Sequence, residues 1–298
     1  MNIFQIEAFL KTIELGNMTK AAECLFISQS TLSERISKLE KELNKTLFTR
    51  GYGYNGVKLT ADGEEFIIYA KKYLSVLDDI KDWSHKDKVR TNIRISGPYT
   101  TNTYFLDEFF KKYLDGPIKL DISSHWNHTI YNMISTYEID LGLVSRPYAS
   151  PYIKTSPLFL EPLVIIYNKD FSDYSHINSI SEIKKEDEIH LDWGPDYDLW
   201  SQRFWNQTEV PKITVDSPEL LISFLRSKNS WAIVPTCIIN YLKMRGADSD
   251  LITKNINLTR KMYLVSQRDS SELVNELKFD LIDFLREKEK NQLCKMLI

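Results

Sequence analysis

The 298-residue sequence is short of the features that mark several protein classes at once. Cysteine is scarce: Cys24, Cys237 and Cys294 are scattered and odd in number, which excludes a disulfide framework and fits a reduced intracellular protein. No charge of one sign dominates. With 38 basic and 41 acidic side chains the formal net charge is −3, which excludes a histone-like or ribosomal protein and leaves room for a local basic patch. Long apolar runs are missing; the longest, such as Leu163 to Tyr167, fall far short of the ~20 residues that span a bilayer. The first residues lack a basic segment followed by an apolar one, so no signal peptide is expected, and the protein is expected to be cytoplasmic with no membrane partner. No Gly-x-Ser-x-Gly elbow, phosphate loop or metal-ligand set is found, so no enzyme is expected and no cofactor. His125 and His128 are three apart, but no carboxylate or thiol joins them at suitable spacing.

Proline is absent before residue 98, and all ten prolines lie after residue 97. The first part shows almost only the helical period; the rest mixes short strand-like runs with helical ones. A boundary is expected near residues 86–91, with a surplus of one basic residue up to and including residue 90 and of four acidic residues after it.

Three short helices are predicted in the first part. Ile6, Phe9, Leu10 and Ile13 make one apolar face, Gly16 stops that helix and Asn17 caps the next, which carries Ala21, Ala22 and Leu25. Ser28 caps a third whose Leu32, Ile36, Leu39 and Leu43 recur at helical spacing. This order describes a helix-turn-helix, in which the small pair Ala21 and Ala22 lets the third helix cross close to the second. Gly51, Gly53 and Gly56 then match Gly-x-Gly-x-x-Gly, but a helix precedes them and an extended run follows, the reverse of a dinucleotide fingerprint. A glycine-rich hairpin wing is the better reading. Thr60 caps a long helix along which Phe66, Ala70, Tyr73, Leu77 and Ile80 step by 4, 3, 4, 3, a heptad seam read as a dimerisation face.

The outward face of the third helix carries Gln29, Ser30, Ser33, Glu34 and Lys38, and the N-terminal residues of such a helix reach base edges in the major groove. Gln29 suits adenine, Glu34 accepts from cytosine, and Ser33 is permissive. Arg35, Lys38, Arg50 and Lys58 suit phosphates; Thr19, Ser28 and Thr31 complete the candidate DNA contacts. Between Ser28 and Thr60 six basic residues face three acidic ones, a local +3 that the whole-chain charge hides.

Taken together, Ala21, Ala22, Leu25, Ile27, Ser28, Gln29, Ser30, Thr31, Leu32, Ser33, Ile36, Leu39, Glu40, Leu43, Leu47, Phe48, Arg50, Leu59, Thr60 and Gly63 resemble the N-terminal signature of LysR-type transcriptional regulators. Ser30 stands where many members have proline, and Glu34 where many have a basic or small residue. The stretch from Leu191 to Tyr197 is similar to one in a subgroup of that family. The resemblance implies an α/β chain with an N-terminal all-α winged helix-turn-helix over 1–60, a linker and dimerisation helix over 61–91, and an effector domain over 92–298. That last part would be a periplasmic-binding-protein-like sensor of two subdomains, 92–161 with 268–298, and 162–267. It also implies operator DNA, a small effector and a homodimer or homotetramer, with RNA polymerase open as a further partner. A cytoplasmic small-molecule-binding protein, or a nucleoid-associated DNA-bending protein without effector control, is the alternative.

In the second part, strands are predicted over 92–96, 118–122, 141–144, 163–167, 189–193, 212–215, 231–234 and 262–266. Helices are expected to start near Tyr104, Thr129, Leu199, Pro218 and Ser271. Open α/β sheets bind ligands at the carboxyl ends of their strands. The candidate effector residues are therefore Tyr99, Thr100, Thr101, Ser124, His125, Trp126, Ser145, Arg146, Trp193, Asp216 and Ser217. Hydroxyls, one arginine and aromatic walls point to a small anion or carboxylate.

Overall fold

The computed structural model describes residues 1–49, 57–84, 91–150, 152–177, 179–206, 208–247 and 249–297. It divides into two compact units: residues 1–91 with 135–138, and residues 92–134 with 139–298.

Local capping sets the helices of the first unit. Asn2 accepts from the Gln5 N–H and Gln5 returns a hydrogen bond to the Asn2 N–H, a reciprocal box that starts α1 (Ile3–Leu15). Gly16, at φ 61°, ends it in the left-handed conformation that glycine adopts without penalty. The Asn17 side chain accepts from the Thr19 and Lys20 N–H groups to open α2 (Met18–Cys24). Ser28 accepts from the Thr31 N–H to open α3 (Gln29–Leu43). Ile6, Phe9, Ala21, Ala22, Leu32, Ile36 and Leu39 are buried together, so the alanine pair does sit where the helices meet.

Strands β1 (Phe48–Thr49) and β2 (Lys58–Leu59) pair antiparallel as the legs of a hairpin. The glycines expected at its tip, and Arg50, lie outside the described residues, as does the connector expected around 86–90. Thr60 accepts from the Gly63 N–H at 3.0 Å and donates to the Thr46 carbonyl at 2.6 Å, fixing the start of α4 (Ala61–Ser84). No helix among the described residues is long and apolar enough to cross a membrane.

The second unit is built on a seven-stranded sheet in the order β11-β6-β10-β5-β3-β4, with β9 also pairing β6. In chain order its elements are β3 (Thr91–Gly97), a π-helical turn at Thr101–Phe105, α5 (Asp107–Lys111), β4 (Ile118–Ser124), α6 (Asn127–Ser135), β5 (Leu141–Val144) and β6 (Ile153–Asn168). Then follow β7 (Ile189–His190), α7 (Pro195–Ser201), β8 (Ile213–Thr214), α8 (Pro218–Phe224), β9 (Ala232–Pro235), α9 (Thr236–Met244), β10 (Leu251–Gln267), α10 (Glu272–Lys290) and β11 (Lys295–Met296). β3 and β5 run parallel, and β7 pairs parallel with β8 in a separate ribbon.

The two long strands β6 and β10 are antiparallel partners along nearly their whole length, with Arg260 opposite Glu161 near the middle of both. β5, followed by β3 and β4, joins one end of this pair, and β9 joins the other. Three expectations need correction. Leu163–Tyr167 and Met262–Ser266 are only parts of these strands, the run read over 189–193 shrinks to two residues, and α9 was not predicted at all. The helix expected from Leu199 starts at Pro195, where proline suits a first turn that has no use for its missing N–H.

Candidate functional site

In the first unit, the exposed edge of α3 carries Gln29, Ser30, Ser33, Glu34 and Lys38, while Thr31 and Arg35 are half-buried. The Ser28 hydroxyl lies 2.8 Å from both the Ser30 and Thr31 hydroxyls, a compact polar knot at the helix start. Glu34 and Lys38, one turn apart, meet at 2.7 Å, and the lysine's hydrogen bond holds the glutamate below its ordinary pKa. The Arg35 guanidinium lies 5.1 Å from the Phe4 ring centroid, so part of its donor surface faces α1. Thr19 is exposed in the first turn of α2, and Lys58 is exposed on β2. Glu40, part of the sequence signature but given no role there, accepts at Oε1 from the N–H groups of Leu47 (2.7 Å) and Phe48 (3.2 Å) and so ties the hairpin to α3. Sequence reasoning missed Phe26, 96% exposed at φ 52° in the turn between α2 and α3.

The seam on α4 is not a free stripe. Ala70 is fully buried, Phe66 and Tyr73 pack on the core of the same unit, and the Phe66 ring meets Phe9 edge-on at 5.2 Å. The packed set is Phe66, Ile67, Ala70, Tyr73 and Leu74, because the first half of this helix completes the small core that α1 to α3 leave open. Leu77 is half-buried and Ile80 exposed; Tyr69 and Val76 are the other large exposed apolar side chains among the described side chains of α4.

In the second unit, residues that follow strands converge on the middle of the β6–β10 pair. Arg260 donates from Nε to Glu161 Oε2 at 3.1 Å and from Nη2 to the same oxygen at 2.5 Å, with both side chains buried. Nη2 also reaches the Thr100 hydroxyl at 3.4 Å, and the guanidinium lies 5.4 Å from the Trp193 ring centroid. Asp196, on α7, accepts from the Lys261 N–H at 2.8 Å. Gly194, at φ 95°, passes so close to Ser145 that an added Cβ would lie 2.9 Å from the serine oxygen. Cys237, at the start of α9, has its thiol pushed well up, by burial first and then by the Glu161 carboxylate.

The remaining expected residues divide by accessibility. Thr100, Thr101, Ser145 and Trp193 are buried, and the Thr101 hydroxyl has no hydrogen-bond partner. Trp193 therefore supplies no exposed aromatic wall; its ring is taken up by Arg260. Arg146, read as the anion receptor, is already held by Asp198 at 2.9 Å and Asp192 at 3.7 Å. Ser124, Trp126 and Asp216 are exposed, and Ser217 caps α8. The two histidines make separate bonds, His125 Nδ1 with Ser96 at 3.1 Å and His128 Nε2 with Thr129 at 3.3 Å. Tyr99 is exposed and donates to Glu219. The helical segment behind it makes the wider i to i+5 turn, with the Leu106 N–H on the Thr101 carbonyl at 2.9 Å, a local irregularity that recurs at functional sites.

Residues 3–64 match the model of the bacterial regulatory helix-turn-helix proteins of the lysR family, and residues 86–289 match that of the LysR substrate binding domain. The chain belongs to the LysR family. A transcriptional regulator named SoxR from Arthrobacter is 31% identical over 173 residues, a match that spans 57% of this chain and 58% of that relative. HdfR of Yersinia enterocolitica, also a transcriptional regulator, is 24% identical over 237 residues, covering 77% and 80%. Among solved structures, full-length CbnR in complex with its target DNA is 15% identical, covers 95% of this chain and 99% of its own, and superposes with a TM-score of 0.64. At that identity the likeness is one of fold, and it extends over both parts expected of a LysR-family chain.

Proposed function

We propose that this LysR-family protein is a sequence-specific, DNA-binding transcriptional regulator whose activity a small carboxylate effector controls. The observation that carries the DNA part is the exposed, serine-capped start of α3, on a helix whose far end Glu40 ties to the first leg of a hairpin. N-terminal residues of such a helix reach base edges, and basic residues on the hairpin reach phosphates. The DNA-bound state of the CbnR relative supports the same reading. Two copies pair through the second half of α4, where Val76 and Ile80 remain exposed, and so present two reading helices to a partly palindromic operator.

The effector part rests on the convergence of strand-following residues at the middle of β6 and β10. Ligand shifts the assembly only by the difference in its affinity for the two states, and a site touched by residues from both ends of the β6–β10 pair can supply such a difference. RNA polymerase is the further partner such a regulator addresses. The test is selection of DNA fragments by the purified full-length protein at several salt concentrations. A shared, partly palindromic motif is expected; selection of no common motif at any salt concentration would overturn the specific-regulator reading, because purely electrostatic binding is sequence-blind.

A further inference from the structure

Opposite halves of the second unit meet at a carboxylate supplied by the chain itself. Tyr99 and Tyr104 lie in the helical segment that follows β3, and Glu219 lies in the first turn of α8. Both phenols donate to one oxygen of that glutamate, Tyr99 at 3.0 Å and Tyr104 at 2.5 Å to Oε1. Tyr104 is braced edge-on between Tyr99, 6.1 Å away between ring centroids, and Tyr241, 4.9 Å away. Among the described residues no lysine or arginine pairs with Glu219; its charge is met by the phenol hydroxyls and by a backbone N–H.

The electrostatics agree with an anion held in place. Burial works against ionisation of Glu219, but the hydrogen bonds of Tyr104, of a backbone N–H, of Tyr99 and of Ser217 together outweigh it, and its pKa lies below the ordinary value. Tyr104 is pushed well up, by burial first and by its bond to Glu219 next, so its phenol remains a donor. Two phenol donors, with the Ser217 hydroxyl beside them at the start of α8, are a receptor for a carboxylate, and the glutamate that fills it is itself exposed to solvent.

We propose that Tyr99, Tyr104 and Ser217 form the carboxylate subsite of the effector site, that Glu219 fills this subsite in the effector-free protein, and that the effector's carboxylate enters by displacing it. This rests on the reading of the second unit as an effector domain. The exchange replaces one carboxylate by another, so the donors stay satisfied, while the tie between α8 and the segment after β3 is released. Binding is thereby coupled to a change in how the two halves are held together. A neutral effector has no equivalent entry, because it cannot replace the charge that the donors already hold.

The test uses the full-length protein, with benzoate and acetate as probe carboxylates and benzamide as the neutral control, in calorimetric titrations of wild type, Glu219→Ala and Glu219→Gln. Emptying the subsite with Glu219→Ala is expected to tighten benzoate binding on the order of tenfold or more, the worth of a charge-assisted hydrogen bond, with a smaller gain in Glu219→Gln. Adding Tyr99→Phe and Tyr104→Phe to the alanine variant is expected to abolish the gain, and benzamide is expected to be indifferent to all of them. Benzoate bound equally, or more weakly, by the alanine variant overturns the displacement while leaving a carboxylate effector site standing. Probe carboxylates bound by neither form overturn both.

Discussion

Glu34 and Lys38 stand one turn apart on the exposed face of α3, joined at 2.7 Å. The glutamate occupies a lysine that would otherwise be free for a phosphate, and its own charge repels the duplex. Glu34→Gln removes both effects, while the helix loses little, since an exposed pair of this kind contributes little stability. The logarithm of DNA affinity falls with the logarithm of salt concentration by about 0.9 per neutralised phosphate. Between about 50 and 200 mM salt, one added phosphate contact therefore costs a further factor of roughly 3.5. Glu34→Gln is expected to steepen the slope by about 0.9 and to raise affinity for a random-sequence duplex at low salt. Lys38→Met is expected to leave the slope at or below the wild-type value. Fluorescence anisotropy of a labelled random duplex, titrated at several salt concentrations, measures all three proteins without knowledge of the operator. An unchanged slope in Glu34→Gln would refute the argument, because Lys38 could not then be a phosphate ligand held back by its neighbour.

Two further substitutions probe the units separately. In Gly63→Ala the added Cβ would lie 2.2 Å from the Leu47 carbonyl oxygen, the same oxygen that accepts the Thr60 N–H at 3.0 Å. The start of α4 and the hairpin leg must move apart, at a cost of about 1–3 kcal/mol; urea unfolding of the first unit should show it, together with weaker DNA binding. In the second unit the buried Lys185 ammonium meets Glu188 and lies 2.6 Å from the Tyr197 hydroxyl, over the rings of Tyr197 and Trp205. Lys185→Met leaves the Glu188 carboxylate buried without its cation, at a cost of about 3–5 kcal/mol, readable as a lower urea midpoint by tryptophan fluorescence. Burial opposes ionisation of Glu188, yet the hydrogen bond with His190 and the charges of Lys185 and His190 more than offset it, so its folded pKa lies below the ordinary value. Its stabilising contribution is therefore present above the unfolded carboxylate pKa and is lost as pH falls through the folded one. In Lys185→Met the acid loss should begin at higher pH; a midpoint that tracks wild type across the acid range would refute the pairing.

The parts that were legible in the sequence are those fixed within a few residues. Gly16, Asn17, Ser28 and Thr60 each announce a helix boundary through their own side chain or backbone freedom, and each sits at that boundary. The long strands were not legible, because Pro157 and Pro162 interrupt the β6 run and because one strand serves both halves of the sheet, which mixes its burial pattern. α9 begins directly after Pro235 with no turn signal ahead of it. In the candidate effector site, Tyr99, Thr100 and Ser145 were found as strand-following residues, whereas Glu161 and Arg260 come together across 99 residues of chain. A glutamate between Leu160 and Pro162 in an otherwise apolar run was the available signal, since a charge is seldom fully buried unless it is paired.

The same ion pair explains why the strand crossing suits a movable junction. A buried pair contributes little net stability over an apolar pair of the same shape, but it is directional. Arg260 has Glu161 beside it on β6, the Thr100 hydroxyl reaching it from the segment after β3, and the Trp193 ring from the segment before α7. Breaks in the β6–β10 register fall on either side of it, between Asn255 and Leu258 and between Met262 and Tyr263. Apolar side chains at this point would slide over one another with only a gradual change in energy. The guanidinium instead needs its donors matched, so a shift of one half of the sheet has to exchange one set of partners for another. A junction with discrete rather than graded arrangements is the property an effector needs if its binding is to change the state of the whole chain.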